Sequence, residues 1–138
     1  MYRSHGDYSH ALGLYEQVYL RRKELLGEDD SDTLISLNNM AATYDSLGNY
    51  TQALKIHEQI YSKSVNKFGD DNPLTLISLN NLAAVYGKLG NDEKSLELNE
   101  QTYYKVNQVF GVNHPNTILS LNNLAAAYAK LGDYNKAM

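Results

Sequence analysis

The chain offers few groups for covalent or metal chemistry. Its four histidines, His5, His10, His57 and His114, are scattered, and there is no cysteine. The lack of cysteine excludes disulfides, thiolate metal sites and a cysteine nucleophile. His5 and His10 are five positions apart, which puts them on different faces of a helix and argues against a shared metal. His57 falls on an apolar helical face and reads as a core histidine, while His114 precedes Pro115 in a turn. The acidic residues are dispersed, with neither triad nor paired-carboxylate spacing. The runs Glu28-Asp29-Asp30-Ser31-Asp32 and Asp70-Asp71 lack the spacing of a calcium loop. No Gly-rich phosphate loop is present. An enzyme is therefore not expected, and neither is a cofactor. What remains is suited to non-covalent recognition: the carboxamide pairs Asn38-Asn39, Asn80-Asn81 and Asn122-Asn123, together with Lys88 and Lys130.

Composition narrows the partners. Of the 138 residues, 43% are apolar and 20% charged, enough to build a core. The 12 basic and 16 acidic residues leave a net charge of −4. That argues against a general binder of nucleic acid or anionic membrane, which needs surplus Lys and Arg to neutralise phosphates. No apolar run is long enough to span a bilayer. Residues 1–20 carry no leader pattern, so a cytoplasmic location is expected. Asn49-Tyr50-Thr51 fits a glycosylation acceptor, but it lies across a helix start in such a chain and is discounted.

The elements that must position the Asn pairs are set by repetition. Glycines recur at Gly6, Gly48, Gly90 and Gly132, and again at Gly27, Gly69 and Gly111, always 42 apart. Residues 48–89 laid over 90–131 match at 21 of 42 positions, and 6–47 over 48–89 at 20, so the repeat is the structural unit. Within it, Leu34, Leu37, Met40, Ala41, Tyr44 and Leu47 follow the helical period. Gly48 ends that helix, and Asn49 is placed to cap the next, with Gln52 as a capping-box partner. Asp7, Asn91 and Asp133 hold the matching position. Ala53, Leu54, Ile56, Ile60 and Tyr61 mark a second helix running to about Phe68, where Gly69 stops it. Pro73 suits the first position of the following helix. Strand signals are absent. The unit is two antiparallel helices with a short turn inside and a longer turn between units.

Leu37, Met40, Ala41, Tyr44, Leu47, Gly48, Tyr50 and Ala53 carry the pattern of the tetratricopeptide repeat, which the chain resembles throughout. The family period is about 34 residues, and the longer spacing here, with Leu-Asn-Asn-Leu-Ala and the turn Gly111-Val112-Asn113-His114-Pro115-Asn116-Thr117, is similar to the kinesin light chain subclass. The first turn, Gly27 to Thr33, lacks the Pro. Other departures are Asp92 for Tyr, Ser95 for Ala, and His57 and Asn99 for the aromatic Tyr15. The resemblance implies an all-α, right-handed superhelix: one array over 1–138, with periods 6–47, 48–89 and 90–131 and partial end units.

In such a stack the first helix of each unit lines the concave surface. Leu37, Met40, Ala41 and Tyr44 pack, leaving the Asn pairs, the small residues Ala42, Ala84, Gly87, Ala126 and Ala129, and Lys88 and Lys130 toward the groove. A carboxamide offers both donor and acceptor, so a ladder of them can hold an extended peptide backbone. An Asn there can equally bridge neighbouring helices with no ligand. The resemblance implies that the second Asn of each pair, Asn39, Asn81 and Asn123, contacts peptide. Lys88 and Lys130 either favour acidic ligand residues or are solvated. Tyr44, Tyr86 and Tyr128 read as packing, as do Tyr19, Tyr61 and Tyr103. Arg21-Arg22-Lys23 reads as a solvated outer face.

The expected function is a scaffold or adaptor that binds a peptide segment of a partner protein. The alternative is self-assembly through the ends or outer helices. Neither end carries a polar capping helix. The segment Asp133 to Met138 opens an outer helix too short to cover Leu121, Leu124, Ala125 and Tyr128. The sequence therefore reads as a fragment of a longer array, or as a homo-oligomer formed through its ends or by helix exchange.

Carboxylate-clamp members of the family place Lys or Arg where this chain has Ile35, Ile77 and Leu119. Peptides ending in Glu-Glu-Val-Asp are therefore expected not to bind. Micromolar binding of such a peptide in a fluorescence titration would contradict that expectation.

Overall fold

The computed structural model describes residues 5–132, with side chains over 7–130. The described residues form six helices: α1 (His5–Leu26), α2 (Ser31–Ser46), α3 (Tyr50–Phe68), α4 (Pro73–Lys88), α5 (Asp92–Phe110) and α6 (Pro115–Gly132). The described fold is all-α, built of antiparallel helix pairs. The chain divides into two compact units, Met1–Lys67 and Phe68–Met138.

In the first unit α1 packs on α2. The core consists of Leu34, Leu37, Met40 and Ala41 from α2 with Ala53, Ile56 and Ile60 from α3. Arg22 joins α1 to α2: its guanidinium donates to the Asp32 carbonyl at 3.1 Å and to Ser36 Oγ at 2.9 Å. The expected solvated face thus fails at Arg22, because a long stem lets its head reach the neighbouring helix. Lys63 of α3 reaches back to the turn before α2. There it donates to Glu28 at 2.8 Å and Asp29 at 3.3 Å. The ammonium holds the Glu28 carboxyl below its usual range, and Glu28 raises Lys63 in return. The pair's contribution is lost as pH falls through the lowered carboxyl value or rises through the raised ammonium value.

In the second unit α5 packs against both α4 and α6. Leu76, Leu79, Leu82, Ala83 and Val85 of α4 are buried with Leu98 and Val106 of α5 and Ala127 of α6. Small polar residues are buried with them. Ser95 Oγ donates across to the Ala83 carbonyl at 2.8 Å, and Thr117 Oγ1 to the Val106 carbonyl at 3.4 Å. The short side chains of Ser95 and Thr117 let backbones approach, and these two hydroxyls are satisfied by carbonyls.

The short turns follow one design. After α4, Gly90 takes φ +89° and donates to the Gly87 carbonyl, while Asn91 N–H donates to Tyr86 O at 2.9 Å. This is a Schellman closure. Asn91 then caps α5, its Oδ1 accepting from Lys94 N–H at 3.2 Å. Gly48 and Asn49 repeat the arrangement between α2 and α3, with Asn49 Oδ1 accepting from Gln52 N–H at 3.4 Å. The reciprocal half of the expected capping box cannot form. The Asn49 N–H that Gln52 would receive is already donated to Tyr44 O.

The long turns end on three different caps in one register. Asp30, Asn72 and His114 precede the first residues of α2, α4 and α6. Asp30 and Asn72 accept from N–H groups two positions on, each at 2.9 Å. His114 Nδ1 does the same for Asn116 N–H at 3.0 Å, with its ring stacked 4.4 Å from that of Phe110. Lack of Pro in the first turn does not shift its helix, because the Asp30 cap does the same work. At the other end, α1 begins at His5, which places Asp7 in its first turn rather than at the expected cap. The expected cap at Asp133 and the outer-helix segment 133–138 lie outside the described residues.

Two glycine substitutions should act in opposite directions. No atom lies within 4 Å of a Cβ built at Gly90 or Gly13, but only Gly90 has positive φ. Gly90→Ala should cost about 1–2 kcal/mol through the left-handed backbone. Gly13→Ala, in the middle of α1, should add about 0.5–1 kcal/mol. Urea midpoints at constant m-value check both.

Candidate functional site

The first helix of each repeat, α2, α4 and α6, carries its Asn pair in mid-helix, where side chains three and four apart share a face. In the second unit this brings Asn80 of α4 and Asn123 of α6 together. Asn123 Nδ2 donates to Asn80 Oδ1 at 3.0 Å. The first Asn of one repeat thus meets the second Asn of the next, and the helix-bridging reading holds for this pair. The bond leaves Asn80 an amide group and Asn123 a carbonyl oxygen, one donor group and one acceptor, for other partners.

Two hollows adjoin this rung, both lined by Asn80, Leu119 and Asn123. The smaller, about 150 Å³, is walled by Leu76, Ile77, Val106 and Phe110 and is apolar. The larger, about 420 Å³, opens among Ala84, Gly87, Lys88, Ala126 and Lys130, over a floor that includes Ser95 and Asn99. The small residues expected to leave room, Ala84, Gly87 and Ala126, do line it.

The other expected contacts are placed differently. Asn81 is half-buried and Asn122 exposed, and neither lines these hollows. In the first unit Asn38 is exposed and Asn39 half-buried on α2. Lys88 lines the larger hollow. Lys130 does too, and it is engaged. Its ammonium donates to the Gly87 carbonyl at 2.9 Å and lies 3.4 Å from Asp92 Oδ1. It therefore ties the end of α6 to the α4–α5 turn.

Positions where the repeat departs from its own pattern gather here. Asp92 replaces the usual Tyr, Ser95 the usual Ala, and Asn99 the usual aromatic or His. Ser95 and Asn99 form part of the floor, and Asp92 pairs with Lys130. Gly87 fits the same cluster: a Cβ there would lie 3.3 Å from Ser95 Oγ and 3.8 Å from Lys130 Nζ. Each departure is visible in the sequence alone. Their convergence is not, because it joins α4, α5 and α6. Tyr128, on α6, donates its hydroxyl to Glu100 of α5, which raises the pKa of the phenol. His57 is buried in α3, as expected of a core histidine. Among the described residues no cluster of His, Asp or Glu could hold a metal. None of the described helices is long and apolar enough to cross a membrane.

Comparison with known proteins bears on the family and the fold. The tetratricopeptide repeat family profile matches residues 1–64, 47–104 and 74–138, and the chain belongs to that family. No curated protein sequence matches it. A Podosopora anserina structure of nearly identical TPR-like repeats, assigned as a kinesin light chain, superposes with a TM-score of 0.80 at 26% identity. It covers 96% of this chain and 63% of that one. A Q17M form of the same protein gives 0.81 at 26% identity, with 96% and 62% covered. BtubC (BKLC) from P. vanneervenii shares the fold, with a TM-score of 0.80 at 22% identity, over 93% of this chain and 50% of that one. The chain thus spans less than two thirds of each of these neighbours. Folds of this family generally serve as protein–protein interaction modules and are typically non-catalytic.

Removal of the rung is testable without a ligand. Asn123→Ala should cost about 0.5–1.5 kcal/mol for the lost hydrogen bond, read as a lower urea midpoint. An unchanged midpoint would show that the bond adds nothing to the packing of α4 and α6.

Proposed function

We propose that residues 1–138 form one right-handed array that binds an extended segment of a partner protein along its inner helices. The carrying observation is the Asn80–Asn123 rung, which keeps one donor group and one acceptor unused at the common border of an apolar hollow and one rimmed by Lys88 and Lys130. One peptide unit of an extended ligand has the complementary N–H and C=O. Its side chains alternate and can enter the hollows on either side.

In this reading Asn39, Asn81 and Asn123 hold the ligand backbone, with Asn38, Asn80 and Asn122 as secondary contacts. Bridging and binding do not compete at Asn80 and Asn123, since the bridge uses only half of each carboxamide. Lys88 favours an acidic ligand side chain. At Lys130 a ligand carboxylate must share the ammonium with Asp92 and the Gly87 carbonyl. The chain acts as a scaffold or adaptor in a cytoplasmic setting, without catalysis. The second reading, self-assembly, is favoured by the exposed apolar faces of α1 and α6.

The test is selection from a displayed library of natural protein segments. Wild-type chain should enrich a set of peptides that the combined Asn39→Ala, Asn81→Ala and Asn123→Ala variant fails to enrich. The variant's circular dichroism should stay that of the wild type. Lys88→Glu should weaken the acidic members of the set most. No enrichment by wild type, or equal enrichment by the triple variant, would sink the groove as the binding surface.

A further inference from the structure

Residues two 42-residue periods apart hold the same place in α1–α2 and in α5–α6, so the two helix pairs can be compared position by position. In the first pair, Arg22 of α1 sets one guanidinium nitrogen on two neutral acceptors of α2. These are the Asp32 carbonyl at 3.1 Å and Ser36 Oγ at 2.9 Å. Ser36 is 1% exposed, and its hydroxyl also donates to the Asp32 carbonyl at 3.2 Å. In the second pair the counterparts of Arg22, Asp32 and Ser36 are Val106, Asn116 and Ser120. Both acceptors are kept, because one is a main-chain carbonyl and the other is again a serine. The donor is gone.

Two features of the second pair follow from that loss. Ser120 is 4% exposed, yet its Oγ finds no hydrogen-bond partner among the described residues. A buried hydroxyl in that state carries a desolvation cost that one donor would offset. The other feature is the apolar hollow of about 150 Å³, whose lining includes Val106, Asn116 and Ser120. By register this is the place that the Arg22 head fills in the first pair. Leu76, Ile77 and Leu119 complete a wall suited to an alkyl stem.

We infer that this hollow is a subsite for an arginine side chain, supplied by the bound segment. The stem lies along Leu76, Ile77 and Leu119, and the guanidinium repeats the bonds of Arg22. It donates to the Asn116 carbonyl and to Ser120 Oγ, which turns about χ1 to the arrangement seen at Ser36. Arginine is favoured over lysine because its head is more weakly hydrated, and no carboxylate lines the hollow. Leucine fits the wall but leaves the Ser120 hydroxyl unanswered. The hollow borders the Asn80–Asn123 rung, so as an account of partner choice the subsite rests on the groove reading.

Titration with N-acetyl-arginine methylamide, followed through backbone amide NMR shifts, tests the subsite without a partner protein. Wild-type chain should show saturating shifts at Val106, Asn116 and Ser120 at about millimolar probe, the range its size allows. The lysine and leucine analogues should bind at least about tenfold more weakly, and so should arginine to Ser120→Ala. Val106→Arg supplies an internal guanidinium and should not respond at all. Should that variant lose its helical circular dichroism, Ser120→Ala, which removes only a hydroxyl, still decides. No saturation at these amides, equal binding of the leucine analogue, or unchanged affinity in Ser120→Ala would overturn the subsite. The groove falls separately: an arginine response with no peptide enriched from the library keeps the subsite and removes the groove. Peptides enriched through the Asn residues, with no arginine response, do the reverse.

Discussion

The structure depends on a turn in which one asparagine closes one helix and opens the next. In the Gly90 turn the Asn91 N–H satisfies the carbonyl of Tyr86 while its side chain satisfies the amide of Lys94. The Gly48 turn does the same through Asn49. Orphan groups from two helix ends are thus answered by one residue, and no slack is left between the axes. That rigidity sets which side chains of α4 and α5 can meet. Ser95 lands on the Ala83 carbonyl only because the turn has brought the two backbones close.

Close packing then decides where polarity goes. At the buried contacts the chain uses Ala, Ser and Thr, whose small volume permits close approach, and the hydroxyls of Ser95, Thr102 and Thr117 return to main-chain carbonyls. Asn80 and Asn123, larger polar groups, lie at the surface of the unit, where they join across α4 and α6. Gly87, Asp92, Ser95 and Lys130 form a second junction beside that rung. Lys130 shows how a surface charge becomes structural. A carbonyl at a helix end and a carboxylate one turn later are both within its reach. The same packing logic leaves α1 and α6 each with an apolar face that its sister helices bury.

Most of the architecture was legible in the residues. The Gly ladder gave the turns, the helical period gave the apolar faces, and the unit proved to be a helix pair. Local chemistry suffices there, because a cap or a left-handed glycine acts on groups a few residues away. Two local readings failed for local reasons. The capping box at Asn49 lost its reciprocal bond to the preceding helix, and Asp7 fell inside α1. The cap at His114 was legible only as a turn residue, since an imidazole in that role depends on the ring's orientation against Phe110.

By itself the sequence determined the period, most of the helix ends and the apolar positions. Those follow from spacing, and spacing is conserved when a chain coils at 3.6 residues per turn. Tertiary structure alone decided which Asn meets which, why Arg22 and Lys130 are engaged, and where the departures Asp92, Ser95 and Asn99 converge. Each of those facts joins residues on different helices. Their distances depend on how closely and in what register two helices pack, and one helix's period carries no record of that.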